Sequence, residues 1–286
     1  MFKKWRGQMA YKSVMTVWDG RNREKSVLEL ACKMTSRENG HLSILCLGFD
    51  RTSPGLYYAG ASPFAMNESL EMARNNADAY KAEVEDFMST REMNWSCQKI
   101  IAQIGGIPHM VGRAARFNDL VVLPQPYGGN QSEEAVATLE AALFDGHTPV
   151  LVCPTEKSST PGKKVVVAWN ESAEAMAAIK AGLPFIRNAD AVDIAIVEPG
   201  PRDETVSEPG HHLSQMLVRH GAKVNVSILA KSSSHVATTL LQHARDIDAD
   251  MIVMGAYGHS RFRQSIIGGA TRDMLKDIQI PVFMAH

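Results

Sequence analysis

Asp250-Met-Ile-Val-Met-Gly255-Ala-Tyr-Gly258, then nine residues, then Gly268-Gly269-Ala270 is the stretch on which the rest of the chain is organised. Met251 to Met254 are four consecutive apolar residues, as in a strand buried on both faces of a parallel sheet. The strand ends at a glycine, a second glycine follows three residues on, and a glycine pair opens a helix expected over Ala270–Ile278. A strand, a glycine-rich loop and a helix N-terminus are the parts that hold a phosphate. Backbone N–H groups come close where no Cβ intrudes, and the helix dipole favours an anion there.

Two familiar phosphate motifs do not fit. G-x-G-x-x-G is absent, because two residues separate the first pair of glycines, and no Lys-Ser or Lys-Thr pair follows a suitable glycine to make a P-loop. The spacing G-x2-G-x9-G instead resembles the ATP-binding signature of the universal stress protein family. In that family the last glycine is followed by Ser or Thr. Here Gly269 stands in that place, with Thr271 two further on, so a hydroxyl that would help hold phosphate is missing. The plainer alternative is that these glycines only make tight turns and close strand–helix packing.

Composition sets the outer limits. The 286 residues, 45% hydrophobic and 21% charged, suit about two globular domains. A formal net charge of −1 gives no global basic field for nucleic acid or an anionic membrane. Cys32, Cys46, Cys97 and Cys153 are widely spaced, form no CxxC pair and suit a reduced compartment. No apolar run approaches the ~20 residues of a membrane span. The basic start, Met1 to Gln8, leads into no apolar segment and is no secretory signal, so the cytoplasm is the expected location.

The chain repeats itself. In the first half, strands are expected at 14–18, 41–48, 97–102, 119–123 and 148–153, with helices at 23–35, 66–91, 108–118 and 133–144. Residues 50–63 and 154–163 read as loop and linker. The pattern then restarts, with strands at 165–168, 192–197, 224–229, 250–254 and 280–285 and helices at 173–185, 213–220 and 235–247. Trp169-Asn170 stands where Trp18-Asp19 stood, Asp250-Met-Ile-Val-Met echoes Asp119-Leu-Val-Val-Leu, and Ile280-Pro-Val echoes Thr148-Pro-Val. Duplication of an α/β unit follows: a domain at 1–154, a linker at 155–163 and a domain at 164–286. Each is expected to be an open, mostly parallel five-stranded sheet with helices on both faces, Rossmann-like and similar to the universal stress protein fold.

In open α/β sheets ligands gather at the carboxyl ends of the strands, where the strand order switches. That edge of the second half collects Trp169-Asn170, Val197-Glu198 and the 255–269 loop. In the resembling family an Asp after the first strand contacts nucleotide, and backbone near the end of the second strand meets adenine. The resemblance therefore implies an ATP or adenine-nucleotide site, with magnesium as companion ion, built from Trp169, Asn170, Val197, Gly255, Gly258, Arg261, Gly268, Gly269 and Thr271. Asn170 replaces the family's Asp; it still hydrogen-bonds but carries no charge. Arg261 and Arg263 can neutralise phosphates, or sit on a solvated loop, and His259 has the same two readings.

The first half reverses this pattern. It keeps Asp19, but Pro124 and Pro126 remove donors from its loop, and no glycine stands near Val136-Ala137. No nucleotide site of the family's kind is expected there; its loop and long helix bind something else or act as a shield. Other candidates are weaker. His211, His212 and His220 lack a carboxylate or Cys cluster for a metal, Ser172 suits a helix N-cap, and there is no G-x-S-x-G elbow. No catalytic residue is assigned. Between Gly255 and Gly269 there is no Asp or Glu to hold a metal for phosphoryl transfer, which favours binding over turnover. The resemblance thus implies a stress-response binding protein, the alternatives being a slow ATPase or a scaffold without nucleotide. It further implies a protein partner, and pairing of Val150–Cys153 with Val282–Ala285 as a pseudo-dimer within one chain, with a homodimer beyond that.

Overall fold

The computed structural model describes residues 11–20, 25–51, 63–127, 132–154, 160–198, 208–230, 235–256 and 269–286. Of the expected site, Gly258, Arg261 and Gly268 lie outside the described residues, as do His259, Arg263, Gly128, Gly129 and most of the 50–63 loop. The chain forms two compact units, Tyr11–Thr148 and a second that contains Pro149–His286.

In Tyr11–Thr148 the sheet is parallel. β1 (Ser13–Trp18) lies between β2 (His41–Phe49) and β4 (Leu120–Pro124), and β3 (Asn94–Ala102) lies outside β2. Val14, Leu42, Leu120, Val121 and Val122 are fully buried, which is why these strands read as apolar runs. β3 starts three residues earlier than expected, because it pairs along all of β2, from His41 opposite Asn94 to Phe49 opposite Ala102. Its sequence hid this start: as an outer strand it buries little, and Asn94 and Ser96 are exposed.

Helix Pro63–Met88 packs on β2 and β3. Its buried side is Ala73, Ala77, Val84 and Met88, at helical spacing, with the small alanines at the closest approach to β2. Close approach needs Gly48 on β2: a Cβ there would sit 2.1 Å from the Ala73 carbonyl oxygen. Trp18, 3% exposed, donates from Nε1 to Glu83 Oε2 at 3.3 Å. The Asp50 carboxylate accepts from Ser69 Oγ at 2.7 Å and from Gln103 Nε2 at 2.9 Å. The helix Ile107–Ala115 follows a 3-10 turn, Ile104–Gly106. The helix Glu133–Glu140, capped by Ser132 Oγ accepting from Ala135 N, continues as a π turn over Ala141–Asp145.

In Pro149–His286, β6 (Lys164–Ala168) lies between β7 (Ala191–Val197) and β9 (Met251–Gly255). β8 (Val224–Leu229) lies outside β7 and β10 (Val282–Ala285) beside β9, all parallel. β5 (Val150–Cys153) pairs antiparallel with β10, Val152 opposite Val282, so this last strand of the first sequence repeat belongs to the second compact unit. The strand order reverses between β6 and β9, which makes the crevice above them the switch point.

The helix expected at 173–185 is in fact two, Ala173–Ala181 and Leu183–Asn188. Gly182 closes the first by donating to Ala178 O at 2.8 Å, then accepts from Phe185 N and Ile186 N to start the second. Pro184, with no N–H to lose, fits that start. The remaining helices are His211–Arg219, Val236–Asp246 and Gly269–Lys276.

One repeated device explains the echo between Asp119 and Asp250. Asp250 Oδ1 accepts from the N–H groups of Gly162, Lys163 and Lys164 at 3.0, 3.0 and 3.1 Å, pinning the start of β6. Asp119 Oδ2 does the same for Lys12 N and Ser13 N, both at 2.8 Å, at the start of β1. Among the described residues no helix is long and apolar enough to cross a membrane.

Candidate functional site

The strand ends set a cavity of about 330 Å³ in the second unit. Its floor is the carboxyl edge of the sheet: Ala168 of β6, Ala195 and Val197 of β7, and Met254 and Gly255 of β9. Trp169 and Asn170 leave β6 beside it, Gly269, Ala270 and Thr271 close one side at a helix start, and Val236, Ala237 and Leu240 form a wall. Thus all six expected site residues within the described chain, Trp169, Asn170, Val197, Gly255, Gly269 and Thr271, line one cavity although they come from four separate segments.

Local chemistry fixes each of them. Trp169 N donates to Ala195 O at 3.0 Å, which extends the β6–β7 ladder by one bond and holds the indole at the rim. Asn170 Oδ1 accepts from Ser172 N at 3.2 Å, folding the loop into an Asx turn. Ser172 Oγ accepts from Ala175 N at 3.1 Å, the N-cap its position suggests. Glu171 between them has φ 64°, a left-handed conformation that turns the chain into the helix.

Gly255 lines the cavity and also meets the plainer alternative, close strand–helix packing. A Cβ there would stand 2.5 Å from Ala175 N and 2.6 Å from Glu174 C, so the missing side chain faces the helix Ala173–Ala181. Its demand is close strand–helix packing. Gly269 is the opposite case: a Cβ there meets nothing within 4 Å among the described residues. It begins the helix Gly269–Lys276, whose first N–H groups lack partners within the helix.

Sequence reasoning missed three contributors. Glu174, in the first turn after Ser172, lines the cavity. The wall from Val236–Asp246 was also missed, together with the cluster that fastens it. Asp193 on β7, 7% exposed, binds His243 Nε2 through Oδ1 at 2.9 Å and accepts from Asn225 Nδ2 and Ser227 Oγ through Oδ2 at 2.6 and 3.0 Å. This cluster ties the helix to β7 and β8. A polar residue within the apolar run Val192–Val197 was the available signal, since a buried carboxylate needs partners. At the other end, His235 Nδ1 pairs with Asp273 Oδ2 at 2.8 Å, joining the wall to the helix Gly269–Lys276.

The histidines of the helix His211–Arg219 gather no ligand set. His211 and His212 meet edge to face at 5.6 Å, and His211 Nε2 contacts Gln215 Nε2 at 2.9 Å. Among the described residues no group of three His, Cys, Asp or Glu side chains is placed to hold a metal.

Comparison with known proteins points one way. Residues 162–286 match the universal stress protein family. Universal stress protein Slr1230 of Synechocystis sp. is 25% identical over 148 residues, 51% of this chain and 50% of that protein, so the chain spans about half the length of that relative. A universal stress protein from Archaeoglobus fulgidus has a similar structure, with a TM-score of 0.67 and 16% identity over 96% of this chain and 98% of that one. PA1789 from Pseudomonas aeruginosa PAO1, described as functionally unknown, follows at 0.55 and 12% over 97% and 93%. At these identities the structural likeness speaks for the fold alone.

Proposed function

We propose, from the premise that this chain belongs to the universal stress protein family, that its second unit binds an adenine nucleotide, ATP, at the β6–β9 switch point. The chain then acts as a tandem stress-response binding protein in which the first unit carries no nucleotide. The observation that supports this reading is the convergence of the six described site residues on one cavity. Its volume of about 330 Å³ falls at the small end of ligand sites, roughly 300–1,000 Å³.

The residues fit the parts of such a ligand. Ala168, Ala195, Val197, Leu240 and Met254 offer an apolar slot for a base, and Trp169 an aromatic rim. The start of the helix Gly269–Lys276 offers N–H groups and a positive dipole end to phosphate. Glu174 would repel a bare triphosphate, so magnesium bound with the nucleotide fits the carboxylate better than free ATP. Of the described lining residues only Glu174 carries a carboxylate, too little to hold a metal and position a nucleophile for phosphoryl transfer, which favours binding over turnover.

A scaffold reading without nucleotide has two observations in its favour: Glu174 in the cavity and glycine at 269. Calorimetry separates the two. Saturable Mg-ATP binding to the full chain is expected. Leu240→Trp, which fills the slot, is expected to weaken it at least about tenfold, a change of ~1.4 kcal/mol, while circular dichroism reports an intact fold. No heat at millimolar Mg-ATP with the folded wild-type chain selects the scaffold.

A further inference from the structure

Cys46 and Cys97 stand in different strands, 51 residues apart, yet their sulfurs are 3.2 Å from each other. The register explains this. Ile44 is opposite Cys97 and Cys46 opposite Lys99, so the two cysteines are diagonal neighbours across β2 and β3. Cys46 shares its face of β2 with Gly48, the face that carries the helix Pro63–Met88. Cys46 is fully buried, whereas Cys97 on the outer strand is half-buried and so accessible to a small oxidant.

We propose that Cys46 and Cys97 form a thiol pair that closes to an intramolecular disulfide under a peroxide oxidant, with Cys97 attacking first and Cys46 resolving. A disulfide needs S–S of about 2.05 Å, so the sulfurs must close by roughly 1 Å. The outer strand β3 has pairing on one side among the described strands and is the element that yields.

Exposure assigns the roles: Cys97 is the sulfur an oxidant reaches, and Cys46 lies buried behind it. Either thiol can donate to the other across the 3.2 Å contact, and the hydrogen bond from Cys46 favours a Cys97 thiolate, holding Cys97 below the ordinary thiol range. Lys81 of the covering helix favours the Cys97 thiolate and Glu85 opposes it. The other two cysteines make internal controls. Cys32 is buried against Met88, and burial pushes its thiol up to about 11. Cys153 is buried within β5 and is pushed up further.

The chemistry balances. The Cys97 thiolate attacks one peroxide oxygen, the O–O bond breaks, and the departing hydroxide takes a proton to leave as water, giving a sulfenic acid. The Cys46 sulfur, losing its proton, then attacks the Cys97 sulfur; the S–O bond breaks and a second water leaves. Two thiols are oxidised by two electrons and one peroxide is reduced to two waters.

The test is peptide mapping of the reduced full chain after hydrogen peroxide, alkylated under denaturing, non-reducing conditions. The expected result is loss of two of the four thiols, a Cys46–Cys97 linked peptide that reductant releases, and alkylated Cys32 and Cys153. Cys97→Ser is expected to keep its remaining three thiols at the same dose, and Cys46→Ser to stop at a Cys97 sulfenic acid that dimedone traps. The proposal is overturned if wild-type Cys97 stays a thiol, passes to sulfinic acid unlinked, or links to a second molecule. The wild-type map decides even if the buried Cys46→Ser variant fails to fold.

Discussion

The two units build the same strand order around their first strand and treat its carboxyl edge in opposite ways. In Tyr11–Thr148 a 26-residue helix, Pro63–Met88, lies on β2, with Gly48 against its backbone and Trp18 bonded to Glu83. In Pro149–His286 the helix after β7 is nine residues, Trp169 stands at a rim, and a cavity remains over β6 and β9. The tryptophan one residue before an Asp or Asn is 3% exposed in the first and only partly buried in the second. Among the described residues the two sheets share a strand order and differ in what lies over the first strand, a long helix in one unit and a cavity in the other.

The sharpest way to break this comparison is Gly48→Val. The new Cβ would meet the Ala73 carbonyl at 2.1 Å, backbone against backbone-fixed atom, so the helix has to lift. Urea unfolding is expected to show a loss of about 3 kcal/mol or more, the upper end of overpacking. An unchanged midpoint would mean the helix does not need this contact, and the first unit's edge would count as open.

The second unit depends on a fastening that the first does not copy. Asp193→Ala leaves His243, Asn225 and Ser227 without the carboxylate they share beneath the cavity wall. A stability loss of about 1–2 kcal/mol is expected, from leaving the part-buried His243 and Ser227 without their partner. Mg-ATP affinity is expected to fall with it, because Val236, Ala237 and Leu240 ride on that helix. Equal affinity in a destabilised but folded variant would separate the wall from the site.

How far the sequence carried this reading varies by physical kind. Apolar runs such as Leu120–Leu123 and Met251–Met254 were legible because both faces of those strands are buried. β3 was blurred because its exposed residues break the run. The break at Gly182 and Pro184 was written in the chain but outweighed by apolar periodicity on either side. The strand-edge rule gathered Trp169, Asn170 and Val197 at one sheet edge, where they line one cavity with Gly255, Gly269 and Thr271. Glu174, the Val236–Leu240 wall and the helix that Gly255 faces were not legible. Each depends on which neighbour faces a residue across the fold, and local spacing does not encode that.

Gly269 and Gly255 make the finest form of the comparison, since one motif gave them the same expected role. Gly255 is spaced for a helix backbone, and Gly269 has open surroundings among the described residues. Gly269→Ser therefore meets no described neighbour and adds a hydroxyl at a helix start beside the cavity, where Ser also serves the helix better than Gly in the interior. Stability is expected to move by less than about 0.5 kcal/mol, as for an exposed substitution. One added hydrogen bond to a charged ligand, about 1.5 kcal/mol, corresponds to roughly a tenfold gain in Mg-ATP affinity at the upper bound. A few-fold gain by calorimetry ties the phosphate to this helix start. An unchanged or weaker affinity would put the phosphate elsewhere and leave Gly269 a residue of the helix start alone.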